Sequence, residues 1–269
     1  MTEQRVSVEI ANNIAHVKLN RADKLNALDM EMFIAIRHSI KTLRKNRAIR
    51  AVIVSGNGED FCSGLDVKSI MKSPMNMLKL LFKVLPWRAN LAQVVSTGWQ
   101  DIPVPVICAI HGRCWGGGLQ IALGADFRFA TPDSSLSILE GKWGLIPDMG
   151  GTIALRDLMA IDQAKKLAMT AEMFSGQQAL ALNLVTEITA TPLADAQAFA
   201  LALMQQSPDA IAANKRLYNK SWQGSKGWAL FRESYYQLRI LIGKNVQRKI
   251  YNQTHDDEQH KAFLPRKKW

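Results

Sequence analysis

The sequence predicts an α/β core continued by a helical C-terminal extension. Three observations lead there. The early chain interleaves short apolar or alternating runs with amphipathic ones, the pattern of strands mixed with helices. From about residue 192 to the end the pattern is almost purely helical. No linker, low-complexity tract or charge block separates these parts, so the division expected is a core over residues 1–195 and a helical region over 196–269. A chain of 269 residues can bury one sizeable core with an appendage.

The elements follow in order. Residues 5–10 and 14–19 read as a hairpin, because Ala15, Val17 and Leu19 alternate with Ile14, His16 and Lys18. Asp29 is placed to N-cap a helix carrying Met30, Phe33, Ile36, Ile40 and Leu43 at near-helical spacing. "AVIVSG" (51–56) reads as a buried strand ending in turn chemistry. Residues 74–95 are helical in pattern and rich in methionine and leucine, with Pro86 breaking the run. "VPVICAIHG" (104–112) is apolar at nearly every position, as in a strand covered on both faces. "SGQQALALNLV" (175–185) is a helix unit: Ser175 and Gln178 have capping-box spacing, and Asn183 stands where a left-handed C-terminal residue belongs. The chain closes on the basic "FLPRKKW".

Composition narrows the function classes. Hydrophobic residues make up 48% and charged residues 21%, ordinary for a globular enzyme. The longest apolar run is far short of the ~20 residues of a membrane span. The N-terminus runs straight into strand pattern with no signal-peptide core, so a cytoplasmic location is expected. Cys62, Cys108 and Cys114 lack metal-site spacing and are expected to be reduced core residues. The net charge of +11 points to a polyanionic partner: nucleic acid, an anionic membrane or a phosphate-bearing ligand.

Three loops carry chemistry. In "HGRCWGGGLQIALGAD" (111–126) three glycines follow a buried strand and open a helix. A helix start exposes unpaired N–H groups and the positive end of the dipole, and glycine lets a ligand come close, so the stretch reads as a backbone-made anion site. A tight turn with close helix–strand packing is the plainer alternative. The dinucleotide fingerprint is absent. The second loop, "GNGEDFCSGLDVKSI" (56–70), also follows a strand and leads through Ser63-Gly64-Leu65 toward a helix. Two strand ends that each offer an N–H beside a glycine have the layout of an oxyanion hole. Ser63 lacks a nucleophile elbow and reads as a turn serine. In the third stretch, residues 136–159, Glu140 and Asp148 flank the apolar Trp143, Leu145, Ile146 and Pro147. A lone acid there would be a surface or capping group. Two acids in an apolar loop would have raised proton affinity, which suits general acid–base work.

Taken together these stretches resemble the crotonase (enoyl-CoA hydratase/isomerase) superfamily over nearly the whole chain. "LNRADKLNALD" (19–29) resembles its adenine-side loop, "FCSGLD" (61–66) its first oxyanion loop and "IHGRCWGGGLQIALGADFRFA" (110–130) its second. "WGLIPDMGG" (143–151) resembles the catalytic loop, closest to that of the dienoyl-CoA and enoyl-CoA isomerases. "FSGQQALALNLV" (174–185) resembles the helix that follows, and "AFLPRKKW" (262–269) the basic tail. The resemblance implies a ClpP/crotonase-like spiral of ββα repeats with a helical C-terminal trimerisation region, giving a homo-trimer or a hexamer as a dimer of trimers. It implies an acyl-CoA thioester as ligand, whose phosphates answer part of the positive charge. Coenzyme A belongs to the substrate, so no separate cofactor and no metal is expected. By position, the N–H groups of Leu65 and Gly117 would hold the thioester oxygen, and Ser63, Gly64, Asp66, Gly116 and Gln120 would help to bind the substrate. Lys24 and Ala27 would lie along the adenine end.

Gln120 departs from the family's hydratases, which place a glutamate there and a second at the position of Glu140. An amide can hydrogen-bond but cannot relay a proton. Asp148 stands where the dienoyl isomerases carry an aspartate, although those also have an acid at position 120. Glu140 as main base with Asp148 as second proton carrier suits double-bond isomerisation in fatty acid metabolism better than activation of water. The Met/Leu/Phe-rich segment 74–85 lines the acyl pocket or packs the core. One rival is hydration, by Glu140 and a water held by Gln120. Another is a non-catalytic RNA-binding homologue, motivated by "KTLRKNRAIR" (41–50) and "PRKKW" (265–269), although such charge runs are usually solvated faces. The acyl-CoA resemblance disfavours nucleic acid, and composition disfavours a membrane.

Overall fold

The computed structural model describes residues 4–269. β1 (Val6–Ala11) and β2 (Ile14–Leu19) form the antiparallel hairpin, turning over Asn12 and Asn13 at φ 50° and 63°, a region that asparagine tolerates better than most residues. α1 (Met30–Lys45) begins at Asp29, whose side chain accepts from the Met32 N–H. β3 (Ala51–Gly56) follows, then three short helices, α2 (Val67–Ile70), α3 (Pro74–Leu81) and α4 (Leu91–Thr97). β4 (Val106–Ile110), β5 (Arg113–Trp115) and α5 (Gly117–Leu123) come next, then β6 (Phe127–Ala130) and β7 (Ser135–Ser137). α6 (Gly151–Leu158), α7 (Ile161–Thr170), β8 (Phe174–Ser175), α8 (Gly176–Ala181) and β9 (Glu187–Ile188) complete the mixed region. Four helices finish the chain: α9 (Pro192–Met204), α10 (Pro208–Ser221), α11 (Lys226–Leu241) and α12 (Lys244–Gln253).

The main sheet runs β1-β2-β3-β4-β6-β9, parallel except for the hairpin, and a second small sheet runs β5-β7-β8. Each turn of the chain gives a strand to the main sheet, then one to the small sheet, then a helix. The first turn reaches the small sheet only as a bridge between Cys62 and Cys114. This is the expected ββα spiral.

Both faces of the main sheet are covered, as the near-continuous apolar pattern of β3 and β4 requires. Val52, Val54, Val106 and Cys108 face the larger core with Phe33 and Trp99. Ile53, Ile107 and Ala109 face the other way, against Ala196 and Ala200 of α9. The boundary expected at 195/196 therefore falls inside a helix that packs on the sheet. The three cysteines are free and buried. Burial pushes the thiols of Cys62 and Cys108 up to about 12, and that of Cys114 also rises.

Two local readings change. Residues 74–95 do not form one helix broken at Pro86. α3 already ends at Leu81, Pro86 lies in an exposed loop, and Asn90 starts α4 with a capping box to Gln93. The "KTLRKNRAIR" and "PRKKW" cations are partly tied up inside the fold. Arg266 donates to the Asn46 carbonyl at 2.8 Å at the end of α1, and Arg47 donates to the Arg266 carbonyl at 2.8 Å. Arg50 donates to the carbonyls of Met204 and Gln206. The tail is also held by Asp209, which accepts from the Lys267 N–H at 2.6 Å and from the Trp269 indole at 3.2 Å. No helix among the described residues is long and apolar enough to cross a membrane.

Candidate active site

The three loops singled out in the sequence converge on one cavity of about 470 Å³. Ser63, Gly64 and Leu65 line it from the end of the first repeat, Gly116 and Gly117 from the start of α5, and Glu140 and Asp148 from the third loop. Gln120 stands behind Glu140. Asp66 N-caps α2 and pairs with Arg21 at 2.8 Å. Lys24 and Ala27 are on the adjoining loop and not on the cavity wall, Lys24 exposed and Ala27 half-buried.

The adjoining loop is stitched to the first cavity loop. The Ser63 N–H donates to Leu25 O at 2.9 Å, the Leu28 N–H to Gly64 O at 2.8 Å, and the Asp66 N–H to Leu28 O at 3.1 Å. Buried Asn26, at φ 54°, donates from Nδ2 to the carbonyls of Asn57 and Asp60. This anchoring residue was missed in the sequence. Its signal was an asparagine in a tight turn within "LNALD", a residue type that accepts left-handed backbone.

The glycines have separate reasons. Gly64 sits at φ +91°, and a methyl there would lie 2.8 Å from the Trp115 carbonyl oxygen and 3.5 Å from Gly117 N. The two loops therefore meet. At Gly118 a methyl would lie 2.5 Å from the Cys62 carbonyl oxygen, so only glycine lets α5 start this close. Gly116, at φ 49°, donates its own N–H to Ser137 O at 2.9 Å. The N–H groups of Leu65 and Gly117 have no acceptor among the described residues and lie on the cavity lining. Two free donors beside one space can take one oxygen.

Glu140 lies in a 3-10 turn spanning Leu139–Trp143. Its Oε1 accepts from Gln120 Nε2 at 2.6 Å, and its Oε2 is buried with no partner among the described residues. Burial raises the Glu140 pKa, and the neighbouring Asp148 charge raises it further, against hydrogen bonds that lower it. Asp148 keeps contact with solvent, yet loss of hydration among the surrounding walls raises its pKa as well. Both acids thus have the increased proton affinity expected of carboxyls in an apolar loop.

Gln120 is 2% exposed and hydrogen-bonded at both ends of its amide. Its Oε1 accepts from the Met149 N–H at 3.0 Å and the Gly151 N–H at 2.9 Å, which directs Nε2 at Glu140. This clamp escaped sequence reasoning, because its partners are 29 and 31 residues away. The cavity walls were partly foreseen. Met77, Leu80 and Leu81 of α3 line it, whereas Met75 and Leu78 of the same helix are exposed elsewhere. Phe33, Trp115, Met149 and Met173 also line it and were not anticipated.

The enoyl-CoA hydratase/isomerase family profile matches residues 9–245. A peroxisomal Delta(3,5)-Delta(2,4)-dienoyl-CoA isomerase of Arabidopsis thaliana is 32% identical over 66% of each chain. An (E)-benzylidenesuccinyl-CoA hydratase of Thauera aromatica is 32% identical over 78% of this chain and 80% of that one. In fold, an enoyl-CoA hydratase structure from Bacillus anthracis superposes with a TM-score of 0.86 at 24% identity, covering 97% of this chain and 99% of the other. The chain belongs to the enoyl-CoA hydratase/isomerase family of the crotonase superfamily. It is an enzyme of hydratase/isomerase type.

Proposed function

We propose that the protein isomerises the double bond of an enoyl- or dienoyl-CoA in fatty acid metabolism. The observation that carries this reading is the Gln120 clamp. Hydration needs one group to deprotonate water and another to protonate the α-carbon. At the position facing Glu140 there is an amide, and both ends of that amide are already committed. Isomerisation asks less. The N–H groups of Leu65 and Gly117 hold the thioester oxygen as negative charge builds on it. The carboxylate of Glu140, on the cavity wall, takes a proton from one carbon, giving an enolate. The proton returns to another carbon from Glu140 or from Asp148, and the double bond has moved. Preorganised donors of this kind are each worth about 2.7–4 kcal/mol of barrier.

Lys24 and Ala27 border the adenine end of the bound coenzyme A in this reading. The proton transfers call for no cofactor beyond the coenzyme A of the substrate. The subunits associate as a trimer or a dimer of trimers. Trp222, Trp228, Phe231, Leu238 and Ile242 support this, since they leave a broad apolar surface on the C-terminal helices.

Hydration is the second reading, favoured by the 32% identity to the benzylidenesuccinyl-CoA hydratase. Incubation with enoyl-CoAs in heavy water separates the two. Isomerisation gives deuterium at the α- or γ-carbon and a shifted double bond, with little hydroxyacyl-CoA by mass spectrometry. Rapid hydration of crotonyl-CoA would overturn the proposal.

A further inference from the structure

We infer that the acyl group taken by this site is bulky, apolar and uncharged at its far end: about ten carbons, or an aryl-bearing group of the same volume. The inference rests on the acyl-CoA reading of the site and adds the substrate class.

Size is the first argument. A cavity of about 470 Å³, more than ten times the ~30 Å³ one water takes in the liquid, has room for the thioester and an acyl group well beyond four carbons. A four-carbon butenoyl group fills a minor part of it. The remaining walls would face either void or poorly bonded water, and both are unfavourable against apolar side chains.

The chemistry of the walls is the second. Beyond the backbone donors and the two carboxyls the lining is overwhelmingly apolar, with Phe33, Leu80, Trp115, Met149 and Met173 among its members. Its one cation among the described residues is Lys142, which is exposed. An exposed lysine gives a carboxylate little net attraction, and Glu140 and Asp148 repel one. A distal charge on the acyl group therefore has no receptor here.

Adaptability is the third. Met77, Met149 and Met173 are unbranched and polarisable, so they repack around straight chains and ring edges alike. Met77 belongs to α3, a wall anchored by Leu80, at 4% exposure, whose outer face carries the exposed Met75 and Leu78. A helix held by so few buried residues can shift as the acyl group lengthens.

Saturated acyl-CoAs test the class without turnover. Calorimetry on the full chain would use butanoyl-, hexanoyl-, octanoyl-, decanoyl-, 3-phenylpropanoyl- and succinyl-CoA. Each buried methylene is worth up to about fourfold in affinity, the equivalent of about 0.8 kcal/mol. The expected result is a tightening of at least tenfold from butanoyl to decanoyl. A gain of at least tenfold over butanoyl is also expected for phenylpropanoyl, and none for succinyl. Met77→Trp fills one wall at a side chain that is 39% exposed, so folding should survive. It should lower the decanoyl-to-butanoyl affinity ratio several-fold. A flat or inverted series, preference for succinyl-CoA, or an unchanged ratio in a folded Met77→Trp protein would overturn the inference. A clear series with no turnover of any enoyl-CoA would leave the inference standing and sink the isomerase reading. Absence of binding by every thioester would overturn both.

Discussion

Replacing Gln120 by glutamate changes one NH2 to an oxygen at the point where the site differs from a two-carboxylate hydratase. One oxygen of the new side chain keeps the two N–H donors of Met149 and Gly151, at 3.0 and 2.9 Å. The other faces Glu140 Oε1, which now lies 2.6 Å from the amide nitrogen. Two carboxylates in contact cannot both be ionised. Even at about 4 Å and an effective dielectric near 20, their repulsion is about 4 kcal/mol, roughly a thousandfold against the doubly charged form. The pair therefore keeps one proton through neutral pH. The two backbone donors favour charge on the new glutamate, so the proton resides on Glu140.

Two consequences follow for Gln120→Glu. The free base needed for isomerisation is depleted at neutral pH, so isomerisation falls by about 10–10³-fold at pH 7, and the acid limb of its pH profile moves to higher pH. An acid and a base now stand in contact at the wall that Glu140 presents to the cavity, so hydration rises. Each added proton carrier is worth on the order of 10²–10⁴ in rate. Isomerisation is read from ultraviolet absorbance and hydration from hydroxyacyl-CoA by mass spectrometry, both across pH 6–9. A variant with an unmoved pH profile and no gain in hydration would show that Gln120 is a packing residue and that the clamp does not set the reaction.

Glu140→Gln should lower turnover by at least about 10³-fold while acyl-CoA affinity stays within a few-fold, measured by ultraviolet assay and calorimetry; full activity would move the base elsewhere. In the natural protein the raised Glu140 pKa means that activity declines as pH falls through a value above the ordinary carboxylate range. The same shift has a stability consequence. With the folded pKa above the unfolded one, stability is lost as pH rises through the folded pKa. Glu140→Gln should therefore melt higher than the natural protein above that pH, by about 2–4 °C for each kcal/mol of relieved desolvation, and the gain should vanish in acid. Gly64→Ala places a methyl 2.8 Å from Trp115 O at φ +91°; it should destabilise by about 1–3 kcal/mol in denaturant titration and, by displacing the Leu65 N–H, cut kcat by about 10²–10³. Sedimentation should find a trimer or hexamer, and Trp228→Glu should shift it toward monomer.

The fold was legible wherever a local pattern had only one physical outlet. β4 is apolar at every position and β3 over its first four, and such strands are stable only between two covered faces; Ile53 and Val54 duly point into different cores. Ser175 and Gln178 formed their capping box, and Asn183 took the left-handed backbone at φ 59°. The same box logic at Asn90 and Gln93 divides α3 from α4, but Pro86, four residues earlier, offers the sequence pattern a break of its own. The small sheet could not be read in this way. β8 has two residues and β5 and β7 have three each, too few for a period-two pattern. They exist because tertiary hydrogen bonds align them, among them Ser135 N–H to Gly112 O and Gly176 N–H to Ser134 O.

The site divides along the same line. Its glycines and carboxyls could be read because backbone donors beside a glycine, and acids amid apolar residues, are chemically unusual within a dozen residues of sequence. What joins them could not. Gln120 looked like a missing acid, and the loss of a proton carrier was all the sequence offered. In the folded chain it accepts two N–H groups from the Asp148 loop and aims its amide at Glu140. The substitution that removes one acid also fixes the orientation of the other and leaves Oε2 unpartnered. A glutamate at 120 could accept the same two N–H groups but would compete with Glu140 for a proton. The amide makes the loop geometry and the proton chemistry separable, so that in the proposed reaction Glu140 remains a free base within hydrogen-bond distance of its neighbour.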